Sequence, residues 1–210
     1  MFFKRLVVGM LETNCYLIGS KSSKEAAVID PGGEEEEVNL ILNLLQENNF
    51  DLKYIINTHG HIDHIAGNKA LKAKTKALLL IHKLDAHMLI DTNKNFSIFT
   101  GKEICSPPAD RFLEEGDEII LGSLKLTVIH TPGHTSGGIC LILNNIVFTG
   151  DTLFAGGVGR TDLPGVSYQD LQKSIKEKLL KLSDDKVVYP GHGPSSTIGG
   201  ERRTNPYLKN

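Results

Sequence analysis

The sequence lacks the features that would assign a protein to several specialised classes. Its 210 residues contain no tryptophan and only 3 cysteines, and Cys15, Cys105 and Cys140 form no C-x-x-C pair. This usage predicts neither a disulfide framework nor a thiolate zinc site, and it favours free thiols in a reducing compartment. No apolar run approaches the length of a membrane span, and the amino terminus does not have the residue order of a signal peptide. We therefore expect a cytoplasmic protein.

An excess of basic residues is also absent. The chain has 23 lysines and arginines against 25 aspartates and glutamates, which gives a formal net charge of -2. This balance predicts neither a nucleic-acid partner nor a membrane partner. With 40% hydrophobic and 23% charged residues, the composition is that of an ordinary globular protein. The length suffices for one substantial core, so we predict a single domain that spans residues 1–210.

The densest chemical signal is a stretch at 59–64 that contains three histidines and one aspartate. It follows Tyr54-Ile55-Ile56, an apolar run typical of a buried strand. Buried imidazoles and carboxylates destabilise a fold unless their polar atoms are bound, and a metal ion binds both kinds of atom. His59 and His61 project to one side of an extended loop, whereas Asp63 and His64 fall where a helix can begin. The stretch predicts two adjacent pairs of metal ligands; a solvated loop and a single structural ion are the alternatives.

Three further turns share two properties with this stretch, because each follows an apolar strand and carries a residue that can bind a metal. These residues are His134, Asp151 and His192. Glycines flank the turns, as expected where backbones approach closely. The other histidines lie outside such turns. We expect His130 to be a hydrogen-bonded structural residue at a strand end, and we expect His82 and His87 to lie at the surface.

The predicted elements divide the chain into two halves with the same order of strands, helix and a strand that leads to a ligand-bearing turn. We expect half-domains at about 1–91 and 111–210, joined by residues 92–110, which form either a surface connection or an active-site lid. The pattern favours an α/β (α+β) fold of two stacked sheets with helices outside. Strands are predicted at 2–8, 15–19, 25–29, 52–57, 77–81, 117–121, 124–129, 139–143, 146–148 and 186–189, and helices at 34–45, 63–74, 84–90 and 168–182.

Four motifs, in this order along the chain, resemble the metallo-β-lactamase superfamily. They are H-x-H-x-D-H at 59–64, T-P-G-H-T-S-G-G at 131–138, T-G-D-T-L-F at 149–154 and Y-P-G-H-G at 189–193. Within the superfamily the chain is similar to the glyoxalase II (hydroxyacylglutathione hydrolase) branch, in particular to its short, single-domain bacterial members. The resemblance implies a four-layer αββα sandwich of two mixed sheets, with a two-metal site between the sheets.

The resemblance also implies a role for each ligand residue. One metal ion would be held by His59, His61 and His134, the other by Asp63, His64 and His192, and Asp151 would bridge them. Zinc is the implied metal, with iron or manganese as alternatives. The implied reaction is hydrolysis of a small-molecule thioester, such as S-D-lactoylglutathione, by a hydroxide that bridges the two ions. Asp63 and Asp151 would be the catalytic carboxylates.

Three residues outside the ligand set are candidates for supporting roles. Asp30 would accept a hydrogen bond from a ligand histidine, or would only form the Asp-Pro-Gly turn. In the resembled enzymes the loop that begins at Phe154 approaches the glutathione moiety, so Phe154 and Arg160 are candidate substrate contacts. The guanidinium of Arg160 has two interpretations: it binds a substrate carboxylate, or it forms an ordinary ion pair with Asp162.

Two departures from the branch weaken the glutathione assignment more than the hydrolytic one. Larger members have a tyrosine where Pro194 stands, and they carry a C-terminal helical domain, whereas this chain stops at Asn210. The main alternative is a mononuclear iron persulfide dioxygenase of the same superfamily, which shares H-x-H-x-D-H. A β-lactamase is disfavoured, because Asp151 stands where the best-known secreted forms have cysteine. A degenerate binding protein is disfavoured, because none of the seven ligands is missing. The sequence does not indicate an oligomeric state.

Overall fold

The central strands of this chain are buried on both faces, so other layers of the fold must cover them on both sides. In the strand Thr13–Gly19 every residue is buried, and successive side chains point to opposite faces. Cys15 and Leu17 belong to a core shared with helices, whereas Tyr16 and Ile18 belong to a core shared with a second sheet. A strand of this kind must lie between a helical layer and another sheet.

The computed structural model describes residues 1–163 and 166–209 and contains two six-stranded sheets. The first sheet contains, in spatial order, β1 (Phe2–Val8), β2 (Thr13–Gly19), β3 (Glu25–Ile29), β4 (Asp51–Ile56), β5 (Leu78–His82) and β6 (Arg111–Leu113). The second contains, in spatial order, β14 (Ser196–Thr197), β13 (Val187–Pro190), β10 (Ile146–Gly150), β9 (Ile139–Leu143), β8 (Leu124–His130) and β7 (Glu118–Leu121). A small hairpin consists of β11 (Leu153–Phe154) and β12 (Gly157–Val158).

Helices cover the outer faces of both sheets. They are α1 (Glu35–Glu47), α2 (Ile62–Ile65), α3 (Asn68–Thr75), α4 (Tyr168–Glu177) and α5 (Ile198–Thr204). Apolar side chains of α1 and α3 pack on the first sheet, and those of α4 and α5 pack on the second. Both sheets contain parallel and antiparallel pairs. The predicted four-layer fold of two mixed sheets with helices outside is therefore confirmed. Among the described residues, no helix combines the length and the apolar composition needed to cross a membrane.

All predicted strands are present within two residues of their expected ends. The differences concern short elements, because two or three residues do not show a readable alternation: the sequence does not predict β6, β11, β12 or β14. The predicted helix at 63–74 is divided into α2 and α3. The break includes Gly67, which packs so closely that a Cβ atom on it would lie 2.6 Å from the carbonyl oxygen of Pro31. The predicted helix at 84–90 is a 3₁₀ turn, Ala86–Leu89, and the predicted helix at 168–182 ends at Glu177, before the 3₁₀ turn Leu179–Lys181. Since β6 completes the first sheet, the chain crosses to the second sheet after Leu113 and not within residues 92–110. The half-domain limits stay a prediction.

The position predicted for His82 is wrong. Its side chain is only 3% exposed, and its ring stacks on that of His130 with centroids 4.1 Å apart and 9° between the ring planes. His82 ends β5 and His130 ends β8, so burial of His82 results from contact between two sheets and has no local signal. The ring of His130 also contacts the carbonyl oxygen of Ser136 at 2.9 Å, which agrees with a hydrogen-bonded structural residue. His87 is exposed, as predicted.

We expect His82 to make the stability of the protein depend on pH. Burial, followed by the neighbouring His130 and Lys83, lowers the pKa of His82 to about 4. The unfolded chain binds this proton near pH 6.5 and the folded chain does not, so stability falls as the pH drops from about 6.5 towards 4. Over that pH range the free energy of unfolding of His82→Gln should fall by about 1–3 kcal/mol less than that of the wild type.

Urea denaturation of the metal-free proteins at about pH 7 and about pH 4.5 measures this difference. His87→Gln is the matched control, because it removes an exposed histidine and should follow the wild type at both pH values. Equal losses of stability in the wild type and in His82→Gln would show that His82 does not cause the pH dependence.

Candidate metal centre

The ligand-bearing turns meet at one edge of the two sheets. Asp30 follows β3 and His59 follows β4, and these parallel neighbours end side by side. From the second sheet, His134 follows β8, Asp151 follows β10 and His192 follows β13. The two sheets therefore supply opposite walls of one site.

The structure brings all seven residues of the expected ligand set together. Their ligand atoms form three overlapping groups, and the atoms of each group lie within 4.8 Å of one another. The groups are His59, His61 and His134; His59, His64 and Asp151; and Asp63, His64 and His192. Because the second group shares His59 with the first and His64 with the third, the three groups form one continuous cluster.

In the first group, three imidazole nitrogens face one another. His61 Nδ1 lies 3.0 Å from His59 Nε2 and 3.0 Å from His134 Nε2. Nitrogens bound at about 2.1 Å to a tetrahedral zinc ion are separated by about 3.4 Å. The observed arrangement is therefore close to the one that a single ion requires.

The third group combines one carboxylate oxygen with two imidazole nitrogens. Asp63 Oδ2 lies 3.3 Å from His64 Nε2 and 3.1 Å from His192 Nε2. The hydroxyl of Thr13 donates a hydrogen bond of 3.1 Å to the same oxygen and so fixes the carboxylate. These separations suit a second ion.

Asp151 lies between these two groups. Its Oδ1 is 3.4 Å from His64 Nε2, and its Oδ2 is 3.6 Å from His134 Nε2 and 3.6 Å from His192 Nε2. The carboxylate thus faces ligand atoms of both groups at once. Gly191 allows this position, because a Cβ atom on it would lie 2.1 Å from Asp151 Oδ1.

Hydrogen bonds on the outer side of the cluster orient the histidine rings. His134 Nδ1 lies 2.9 Å from the carbonyl oxygen of Arg160, and His192 Nδ1 lies 3.0 Å from that of Leu11. A carbonyl oxygen only accepts, so each Nδ1 carries the proton and each Nε2 directs a lone pair into the cluster. This is the tautomer that binds a metal through Nε2.

Asp30 lies behind two other histidines of the cluster. Its carboxylate accepts hydrogen bonds from the N–H of Thr58 at 2.7 Å and from the Thr58 hydroxyl at 2.6 Å, and its Oδ2 is 3.0 Å from His64 Nδ1. The Thr58 oxygen then accepts from His59 Nδ1, 3.2 Å away. Asp30 also has a φ of 51°, so it forms the turn as well. Both interpretations of Asp30 therefore describe features that are present.

The electrostatics of the cluster favour a cation. Burial, together with neighbouring histidines, lowers the pKa of His61 to about 3 and holds that of His59 well below its usual value, so both rings are neutral at neutral pH. Burial also acts to lower the pKa of His64, but three carboxylates, those of Asp63, Asp151 and Asp30, outweigh burial and raise this pKa well above its usual value. Positive charge is therefore stabilised at this point.

Three buried atoms of the cluster have no hydrogen-bond partner among the described residues: His64 Nδ1, His64 Nε2 and Asp151 Oδ1. His64 Nδ1 lies 3.0 Å from the carboxylate of Asp30, whereas the other two atoms face the cluster. Leaving such groups unsatisfied costs about 1–3 kcal/mol each, and binding of a divalent cation would remove that cost. A donor set made only of imidazoles and carboxylates suits zinc, iron or manganese. The residues therefore fit a metal centre, and the donor set does not distinguish between these metals.

Asp85 supports the site, although its sequence context does not single it out. Its buried carboxylate accepts hydrogen bonds from Gly60 N at 3.3 Å, Thr135 Oγ1 at 2.7 Å and Gly137 N at 2.6 Å. Gly60 belongs to the first histidine loop and Thr135 follows His134, so one side chain joins the two loops that supply the first group. One sequence signal could have identified Asp85: like the ligand residues, it comes shortly after a predicted strand, the one at 77–81.

The two candidate substrate contacts, Phe154 and Arg160, border a cavity beside the cluster. The ring of Phe154 lies 6.2 Å from that of His192. The guanidinium of Arg160 binds Asp162 through Nε–Oδ1 at 2.8 Å and Nη2–Oδ2 at 2.9 Å. The ion pair of the second interpretation is therefore present, and contact of Arg160 with a substrate carboxylate stays a prediction.

Fold and site together define a protein of the αββα class that gathers histidines and aspartates from four turns at one sheet edge. Comparison with known families identifies the particular one, because the family model of the metallo-beta-lactamase superfamily matches residues 8–192. The chain belongs to this superfamily of metal-dependent enzymes.

Three similar proteins cover nearly the whole chain. Hydroxyacylglutathione hydrolase GloC of Haemophilus influenzae is 38% identical over 205 residues, which span 96% of this chain and 95% of GloC. The crystal structure of BLEG-1 B3 metallo-beta-lactamase matches with a TM-score of 0.92 at 33% identity and covers 100% of both chains. ETHE1 from Myxococcus xanthus matches with a TM-score of 0.83 at 32% identity and covers 98% of this chain and 84% of ETHE1.

Proposed function

We propose that this protein is a binuclear metallohydrolase that cleaves thioesters. One observation carries the proposal: seven donor side chains form a continuous cluster in which Asp151 faces His64 at one end and His134 at the other. The similarity to GloC supports an acylglutathione substrate such as S-D-lactoylglutathione.

The ligand groups indicate which residues would hold each ion. One ion would bind His59, His61 and His134, the other would bind Asp63, His64 and His192, and Asp151 would be shared. When bound, divalent ions supply Lewis acidity, which polarises the substrate carbonyl and makes water nucleophilic near neutral pH. Zinc is the first choice, and iron or manganese would supply the same chemistry.

The residues of the chain orient the reacting groups. Asp63, which is held by the hydroxyl of Thr13, lines the cavity and orients the attacking water. Asp151 is the second catalytic carboxylate, because it fixes the relative position of the two ligand groups. Asp63 and Asp151 are the carboxylates among the described residues that line the cavity. This suits a thioester, because a thiol has a pKa of about 8.5 and its thiolate leaves without a separate general acid.

A mononuclear iron persulfide dioxygenase is a second candidate function. His59, His64 and Asp151 form a group of two imidazoles and one carboxylate, the donor set of a facial iron triad. The similarity to ETHE1 is in keeping with this candidate. The similarity to BLEG-1 B3 metallo-beta-lactamase makes a β-lactam a necessary third substrate in any test, and the prediction against a β-lactamase stays a prediction.

The experiment compares these reactions on one preparation. Protein loaded separately with zinc, iron and manganese is analysed for metal content per chain. It is then assayed for loss of thioester absorbance, for oxygen uptake with glutathione persulfide and for β-lactam opening. Two ions per chain with thioester hydrolysis would support the proposal. One iron per chain with oxygen uptake and no thioester hydrolysis would reject it in favour of the dioxygenase, and preferential β-lactam opening would reject the thioester as substrate.

A further inference from the structure

The cavity beside the metal cluster is large, and its inner walls are aromatic. Its volume is about 970 Å³, at the upper end of the usual range for ligand pockets. Phe96 lies on one side of the cluster with its ring 5.1 Å from that of His61, and Phe154 lies on the other with its ring 6.2 Å from that of His192. A lactoyl group is small and polar, and it would leave most of this surface uncovered.

The aromatic surface continues from the cluster to the mouth of the cavity. Phe99 is 80% exposed, and its ring lies 6.1 Å from that of Phe96. Tyr168 at the start of α4 and Tyr207 near the carboxyl end, 49% and 52% exposed, line the same cavity. Segments that are distant in the sequence thus contribute one apolar surface, and such a surface indicates binding of an apolar group.

The cavity offers little positive charge to an anionic ligand. Among the described residues that line it, Arg160 is the one lysine or arginine, and both of its forked contacts are made by Asp162. Glutathione carries two free carboxylates and one ammonium group at neutral pH. A glutathione carboxylate would have to compete with Asp162 for the guanidinium of Arg160. The binding free energy gained from the new ion pair would therefore be small.

The wall that carries Phe154 is held in place by buried hydrogen bonds. Glu201, which is 3% exposed, accepts from Gly156 N at 2.9 Å and from Asn205 Nδ2 at 2.8 Å. Asn205 Nδ2 also donates to the carbonyl oxygen of Gly157 at 3.0 Å. These bonds tie the β11–β12 hairpin to α5, so the apolar wall is formed before a ligand binds.

We infer that the preferred substrates are thioesters with an apolar acyl group and an uncharged thiol part, and that Phe96, Phe99 and Phe154 determine this preference. The inference rests on the proposed thioester hydrolysis, and within that reaction it ranks apolar thioesters above the S-D-lactoylglutathione that the similarity to GloC suggests. The reaction uses water alone: a C–O bond forms at the acyl carbon, the C–S bond breaks, and the products are a carboxylic acid and a thiol that takes up the second proton of water. The apolar acyl group lies against the aromatic walls during this step.

Binding of thioethers, which cannot be hydrolysed, tests the inference without catalysis. S-hexyl-N-acetylcysteamine has an apolar hexyl group in place of the acyl group and an uncharged thiol part. S-methylglutathione has only a methyl group there and keeps the charged glutathione peptide. Titration calorimetry on the metal-loaded protein should show that the hexyl compound binds at least about tenfold more tightly, because it buries several additional methylene groups. Tighter binding of S-methylglutathione would overturn the inference.

Kinetics on the same protein use the phenylacetyl and acetyl thioesters of N-acetylcysteamine beside S-D-lactoylglutathione. The phenylacetyl thioester should have the highest kcat/KM, and Phe99→Ala should lower the phenylacetyl-to-acetyl ratio about fivefold. Phe112→Ala is the matched control, because Phe112 is 56% exposed on β6 and does not line the cavity. An unchanged ratio in Phe99→Ala, or a preference for S-D-lactoylglutathione, would overturn this inference and leave thioester hydrolysis standing. Absence of all thioester hydrolysis would reject both.

Discussion

Replacing Asp151 with alanine should abolish turnover and lower the metal content of the protein. Its two carboxylate oxygens face His64 on one side and both His134 and His192 on the other. The substitution therefore removes a donor from both ligand groups. Loss of a residue that only orients a metal ligand costs about 10–100-fold, so loss of a shared ligand should lower kcat/KM by more than about 100-fold. Thioester kinetics and metal analysis on wild type and variant, loaded in parallel, measure both effects.

His130→Ala is the control for this experiment. His130 lies on the strand that leads to His134, but its ring contacts His82 and Ser136 and not the cluster. This variant should keep both its metal content and its turnover. Thermal unfolding of the metal-free proteins checks that Asp151→Ala is folded. A folded Asp151→Ala protein with full metal content and wild-type turnover would show that the ligand assignment is wrong.

The position of the metal cluster could be predicted from the sequence because each ligand has strong local signals. His134, Asp151 and His192 each follow an apolar strand, and glycine stands beside each of them. The glycine at 191 shows why these signals are reliable, since any side chain there would collide with Asp151. In a layered fold, polar and glycine-flanked turns at the ends of buried strands lie at the edge of the sheets, where they can come together.

Residues that depend on contacts between distant segments could not be predicted in the same way. The burial of His82 results from β8 ending beside β5, and no periodicity around His82 reports this contact. The aromatic cavity has the same origin, because Phe96 and Phe99 lie in the connection at 92–110, which has no repeating pattern. Only the folded chain shows that this connection forms a wall beside the cluster.

The fold stabilises the two histidine-bearing loops with buried carboxylates that do not belong to the ligand set. Asp30 orients His64 directly and His59 through Thr58, and its place at a strand end gave a sequence signal. Asp85 has a different role, because its carboxylate accepts hydrogen bonds from backbone and hydroxyl donors of two loops, and none of these bonds to the described residues involves a ligand ring. Its effect on metal binding must therefore act through loop position, which makes it a positioning residue that substitution can test.

Asp85→Ala should destabilise the protein and weaken metal binding together. The substitution leaves Gly60 N–H, Gly137 N–H and the Thr135 hydroxyl buried without their acceptor, and each unsatisfied donor costs about 1–3 kcal/mol. Removal of the carboxylate returns part of this cost, because burial, only partly offset by these hydrogen bonds, raises the pKa of Asp85 and so disfavours its charged form. We expect a net loss of about 2–4 kcal/mol in the free energy of unfolding of the metal-free protein.

Metal affinity should fall about 10–100-fold in the same variant, because the loops that carry His61 and His134 lose their common support. Urea denaturation gives the stability, and competition with a chelator gives the affinity. Asp85→Asn keeps one acceptor oxygen and should lie between the wild type and Asp85→Ala in both measurements. Asp51→Ala, which removes a 65% exposed carboxylate on β4, should change neither. If Asp85→Ala lost stability but bound metal with wild-type affinity, Asp85 would support the fold alone, and the two loops would hold their geometry without it.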